Sequence, residues 1–125
     1  MSTALEDQRR RANRWRAVVA TTLRSLGVTQ AEARPASRRR SDEVFGIEPD
    51  VYGVPGVHIK ASPIPWGRVA TYLSRAVFDA DTNGRGDLPV LVRPAPAEDP
   101  ADAYAIMRLS HFATLAMDAA KGREA

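Results

Sequence analysis

The sequence predicts one α/β domain, 1–125, in which helices flank a mixed central sheet. Three observations carry that prediction. Apolar residues recur at helical spacing in two long stretches, Leu5 to Leu26 and Trp66 to Ala80. Between and after them lie short apolar or alternating runs, bounded by glycine and proline, of the kind that form strands. The resulting order, α, β-β, α, β-β, α, is satisfied by a mixed sheet covered by helices. At 125 residues the chain suits one ordinary core and is too short for two.

In the first helix, Trp15, Val18, Val19, Leu23 and Leu26 share one face, and Gly27 stands where helices commonly stop. The arginines fall mostly on the opposite, solvated face. Residues 28–45 lose all periodicity, and Pro35 with the arginine triplet Arg38, Arg39, Arg40 predicts an irregular or mobile connection. Residues 50–62 predict two short strands around a tight Gly53-Val54-Pro55-Gly56 turn. Pro63 and Pro65 end the second strand, and a helix follows with Trp66, Val69, Ala70, Leu73, Ala76, Val77 and Ala80 on one face. Asn83 to Gly86 closes it. Leu88 to Val92 is a strand, 95–100 a polar loop, and Tyr104 to Leu109 a further strand. Ser110 is an expected N-cap for a last helix with Phe112, Leu115, Ala116 and Ala119 inward. Trp15 and Trp66, at core spacing, are expected to pack rather than to stack on a ligand.

With 44% apolar and 26% charged residues, the composition is that of a globular protein. No apolar run approaches the ~20 residues needed to span a bilayer, so no membrane partner is expected. Residues Met1 to Arg11 lack the apolar centre of a secretory signal, and cysteine is absent, excluding disulfides and thiolate metal sites. A cytoplasmic location is the expectation. The net charge of +3 is small, but every basic residue except Lys60 and Lys121 is arginine. A GC-rich gene explains such a bias; it explains the clustering less well. Arg9, Arg10 and Arg14 crowd one segment with Arg11 and Arg16, and Arg38 to Arg40 form another. Guanidinium groups suit phosphate because they present a planar fork of donors.

Alternate residues of a strand share a face, so His58, Lys60 and Ser62 are expected to point together, with Asp50 approaching them across the turn. An acidic residue on one strand and functional groups two apart on the next is a frequent plan for a Mg²⁺ site.

From about Arg11 to Met117 the chain resembles small phage and actinobacterial Holliday-junction-resolvase-like proteins of the PD-(D/E)XK nuclease superfamily. The residues that carry the resemblance are Pro49-Asp50, Gly53-Val54-Pro55-Gly56, Val57-His58-Ile59, the Trp66 to Asp79 helix, Leu88 to Val92, and 104–112. The resemblance implies a restriction-endonuclease-like core, a homodimer, a DNA partner and, for a bacteriophage protein, the host cytoplasm.

The departures bear on activity. Alignment on the turn puts Lys60 where the family has its metal-binding glutamate and Ser62 where it has its catalytic lysine. Arg16 falls near the acidic position of the first helix, so only Asp50 of the core set is retained. One carboxylate holds Mg²⁺ poorly, and a lysine in the same pocket opposes the cation by roughly 4 kcal/mol at ~4 Å and an effective dielectric near 20. Lys60 is therefore expected to pair with Asp50 where the family holds its metal. Alternatively, Lys60 is a displaced catalytic lysine, with Glu48 or Glu43 as the missing acid. His58 is expected to be a packing residue, with metal ligation as the alternative. His111 has no catalytic partner visible in the sequence.

These observations predict a pseudoenzyme of nuclease fold that binds branched or duplex DNA through Arg9, Arg10, Arg14, Arg38, Arg39 and Arg40, with no cofactor. An active Mg²⁺-dependent endonuclease with relocated acidic residues is the second reading. A phage module that binds a host or virion protein is the third.

Overall fold

The structure, a computed structural model, describes residues 3–35 and 48–124. Helix α1 spans Ala4–Ser25. It starts where the Thr3 hydroxyl accepts the Glu6 N–H at 3.1 Å, and Glu6 and Asp7 in the first turn complement the helix dipole. Only a narrow stripe of α1 is covered: Val19 and Ala20 are buried, and Trp15 and Leu23 pack beside them. Val18 and Leu26, expected on the inner face, are 37% and 63% exposed. The sheet beneath is too small to cover a full helical face.

Strand β1, Glu32–Ala33, lies inside the stretch expected to be irregular. It pairs antiparallel with β2, Val51–Tyr52, through Glu32↔Tyr52 and Ala33↔Val51. Two residues are too few to show alternation, so its edge pairing had no sequence signal. The remainder of that stretch, including Arg38, Arg39, Arg40 and Glu43, falls outside the described residues. Strand β3, Val57–Ala61, returns antiparallel beside β2 after the expected turn. Gly53 and Gly56 both adopt left-handed backbone there, at φ 75° and 74°. Gly53 has a second constraint, because a Cβ would lie 1.9 Å from the Gln30 carbonyl oxygen.

A 3-10 turn, Trp66–Arg68, leads into α2, Val69–Asn83, which Gly84 closes in left-handed conformation. Helix α2 is the crossover that allows β4, Leu88–Arg93, to lie parallel to β3, with Ile59↔Val90 and Lys60↔Leu91 in register. A second 3-10 turn, Pro100–Asp102, precedes β5, Tyr104–Ile106, which pairs antiparallel with β4. Strand β5 is shorter than expected because α3 already begins at Leu109 and runs to Glu124. Ser110 therefore sits inside the helix, not at its N-cap.

The five strands lie in chain order, β1-β2-β3-β4-β5, in a mixed sheet. This is the α/β class with flanking helices that the sequence predicts. Val51, Ile59 and Ala61 meet Val19 and Ala20 of α1 in one core. On the side facing α2, the fully buried Leu91 and the buried Ala76 and Ala80 form a second layer. Full burial of one such leucine stabilises by about 1.5–3 kcal/mol. Helix α3 is different: Phe112 and Leu115 are 53% and 38% exposed, and Ala116 and Ala119 are exposed as well. These four residues were expected inward, but α3 meets the rest of the fold mainly along β4.

Candidate anion-binding site

Asp50 is buried just before the start of β2, and its partners differ from those the sequence predicts. Arg34 Nη2 donates to its Oδ1 at 3.0 Å, and Arg16 Nη2 lies 3.5 Å from the same oxygen. The Ala61 N–H donates to Oδ2 at 2.9 Å. Both guanidiniums are fixed by backbone: Arg16 Nη1 donates to the Arg34 carbonyl at 3.1 Å, and Arg34 Nε donates to the Pro49 carbonyl at 3.2 Å. Burial holds the Arg16 guanidinium below its ordinary pKa; Asp50 acts against that shift and Arg34 adds to it.

The expected Asp50–Lys60 pair is replaced by this cluster. Val51 is the register partner of Ile59, yet the Asp50 N–H donates to the Ile59 carbonyl, at 2.7 Å. Regular pairing thus ends at Val51, and the Asp50 carboxylate turns to Arg16 and Arg34 instead of standing beside Lys60. Lys60 follows the alternation of β3 to the side of α2, where its Nζ lies 5.8 Å from the Tyr72 ring centroid. His58, on the same side, is 2% exposed. Burial pushes its imidazole below the ordinary value, while Asp79, Asp50 and Asp87 pull the other way and Lys60 reinforces the shift. Glu48, the alternative acid, faces Arg85 at 3.8 Å.

Mg²⁺ does not fit this donor set. Both Asp50 oxygens are already taken by cationic or N–H donors, and two guanidiniums oppose a divalent ion. Among the described residues, no group of three or more His, Cys, Asp and Glu side chains is placed to hold a metal.

What the fold does assemble is a cleft of about 650 Å³ beyond the carboxyl end of β3. Arg9 and Arg11 from α1, Arg68 from the 3-10 turn, Tyr72 from α2, and Ser62 line it. Pro63 and Pro65 stop β3 and carry the chain across to the first turns of α1, which brings Arg68 to the arginines there. Ser62 is held at the rim by its N–H, which donates to the Val92 carbonyl at 3.0 Å. Open crevices at strand carboxyl ends are a favoured place for ligands in α/β sheets.

Of the arginines singled out from sequence, Arg9 lines the cleft. Arg10 lies 3.8 Å from Glu6 and from Asp7, and Arg14 is exposed on α1. Arg38, Arg39 and Arg40 lie outside the described residues. Arg68 and Tyr72 were not singled out, because only the chain path after β3 joins them to α1. Trp66, expected to pack, is 57% exposed; the 3-10 turn delays α2 until Val69 and takes Trp66 off its inner face. Trp15 does pack, and its Nε1 donates to the Val92 carbonyl at 3.1 Å. Among the described residues, no helix is long and apolar enough to cross a membrane.

Comparison with family models, with curated proteins and with solved structures yields no match to this chain.

Proposed function

We propose that the chain binds DNA through its phosphate backbone, on a PD-(D/E)XK-like scaffold without metal-dependent cleavage. The observation that carries this reading is the meeting of Arg9, Arg11 and Arg68 at one open cleft beside Ser62 and Tyr72. Three arginines lining one concave surface attract polyanions, and a guanidinium offers a phosphate group a fork of donors. The hairpin, crossover helix and parallel strand support the restriction-endonuclease-like reading of the core. So does Arg16 reaching Asp50, since the resemblance sets Arg16 near an acidic position of that family. The occupied Asp50 carboxylate supports the loss of cleavage, and Glu48 facing Arg85 weighs against Glu48 as the relocated acid.

Binding to a duplex and to a four-way junction, followed against salt, tests the proposal. Replacing Arg9, Arg11 and Arg68 together with Ala should weaken binding and reduce the salt slope by roughly 0.9 for each lost duplex contact. Unchanged affinity and slope in that variant would remove the cleft from the interface. Cleavage with Mg²⁺ that disappears in Asp50→Ala would restore the endonuclease reading.

One observation favours the protein-binding reading instead. Leu109, Phe112 and Met117 on α3 are 80%, 53% and 58% exposed, an apolar surface of the kind that partner proteins or a second copy cover. Absence of DNA binding even at low salt would select this second reading.

A further inference from the structure

The cleft has an aromatic neighbour. Trp66 and Tyr104 stand with ring centroids 5.3 Å apart and planes inclined by 42°. Both are open to solvent, at 57% and 40%. The Arg93 guanidinium lies over the indole, 4.0 Å from its centroid, and is held there because Arg93 Nε donates to the Ile64 carbonyl at 2.9 Å. The cluster draws on three rigid pieces: Arg93 of β4, its cross-strand partner Tyr104 of β5, and the 3-10 turn that starts at Trp66. That turn also joins the cluster to the cleft, since Pro65 and Arg68, on either side of Trp66 in the chain, both line it.

We infer that the preferred DNA is unpaired, and that Trp66 and Tyr104 form the surface on which its bases stack while the arginine cleft takes the adjoining phosphates. The inference rests on the DNA-binding reading above and names the form of DNA that this site selects. In a duplex the base faces are buried against one another and unavailable to an aromatic side chain. In a single strand they are exposed, and an arginine-lined groove beside aromatic rings is the arrangement that binds them without reading sequence. The Arg93 guanidinium, planar and cationic against the indole, adds positive potential beside the rings. A purely apolar protein partner would gain nothing from the adjacent arginines, whereas a polyanion with flat, weakly polar bases uses both surfaces.

The test compares fluorescein-labelled oligo(dT) with a duplex of the same length, by anisotropy at fixed salt. Trp66→Ala should weaken oligo(dT) binding about tenfold, leave duplex binding within about twofold, and be largely repaired in Trp66→Phe. Tyr104→Ala should act in the same direction and provides a second variant if Trp66→Ala fails to fold. Unlabelled oligo(dT) should quench tryptophan emission in the unaltered protein but not in Trp66→Phe, because Trp15 is bonded within the fold. Tighter binding to duplex than to oligo(dT), or equal losses on both in Trp66→Ala, would overturn the inference and leave DNA binding intact. Failure of both DNAs to bind at low salt would overturn the two together.

Discussion

Arg34 donates to Asp50 Oδ1 across 3.0 Å, and the two side chains together tie the edge of the sheet to the chain on both sides of residues 36–47. Arg34 also donates its backbone N–H to the Asp50 carbonyl at 2.9 Å, so the link is doubled. With Arg16 at 3.5 Å, one buried carboxylate offsets two guanidiniums.

Asp50→Asn should therefore destabilise the fold by about 3 kcal/mol, since it leaves two confined cations without a counter-charge. Urea unfolding measures the loss. Adding Arg16→Met to Asp50→Asn should cost less than the sum of the single changes, because the second substitution removes part of the repulsion that the first exposes.

Gly53→Ala should cost clearly more than Gly56→Ala, although the two residues share a left-handed backbone. Gly56 has open space where a Cβ would stand, so only the conformational penalty of roughly 1 kcal/mol applies there. At Gly53 the Gln30 carbonyl oxygen occupies that space, and the hairpin must shift away from it. Equal midpoints for the two variants in urea would contradict this contact.

The buried imidazole of His58 makes stability fall on the acid side. Its folded pKa lies below the ordinary 6.5, so the unfolded chain takes up the proton first. The contribution is complete above about pH 6.5 and is lost as pH drops through the lowered folded value. Thermal unfolding from pH 7.5 downward should show a decline that is shallower in His58→Phe. The same slope in both proteins would assign the acid sensitivity to other groups.

Leu91→Ala, at a fully buried position, should cost about 2–5 kcal/mol through lost burial and a residual cavity. Leu109→Ala on α3, at 80% exposure, should stay within about 0.5 kcal/mol in a dilute monomer. A large loss for Leu109→Ala would show that its side chain is covered in solution.

The local signals in the chain were enough to mark its long helices, its hairpin and its central parallel strand, but not the two-residue β1 or the start of α3. Apolar spacing marks α1 and α2, Gly53 and Gly56 mark the hairpin, Gly84 follows α2, and the valine-rich run 88–92 marks β4. These are short-range effects of side-chain period and backbone freedom, and they read directly from neighbouring residues. The grouping of Arg9 and Arg11 on one helix was visible for the same reason.

Partners across the fold were decided only by tertiary structure. Asp50 and Lys60 look paired from the hairpin alone, but regular pairing stops at Val51, and the two half-buried guanidiniums of Arg16 and Arg34 compete for the carboxylate from elements that sequence spacing does not relate to it. Trp66 carries the period of a core residue, yet the 3-10 turn rotates it outward, onto Arg93 and Tyr104. Phe112 and Leu115 repeat like an inner face, but α3 meets the fold mainly along β4 and leaves them exposed. Periodicity specifies which side of a regular element a residue occupies; a local break in the backbone, at Asp50 and Trp66, or the lack of a covering layer, at Phe112 and Leu115, decides what that residue meets.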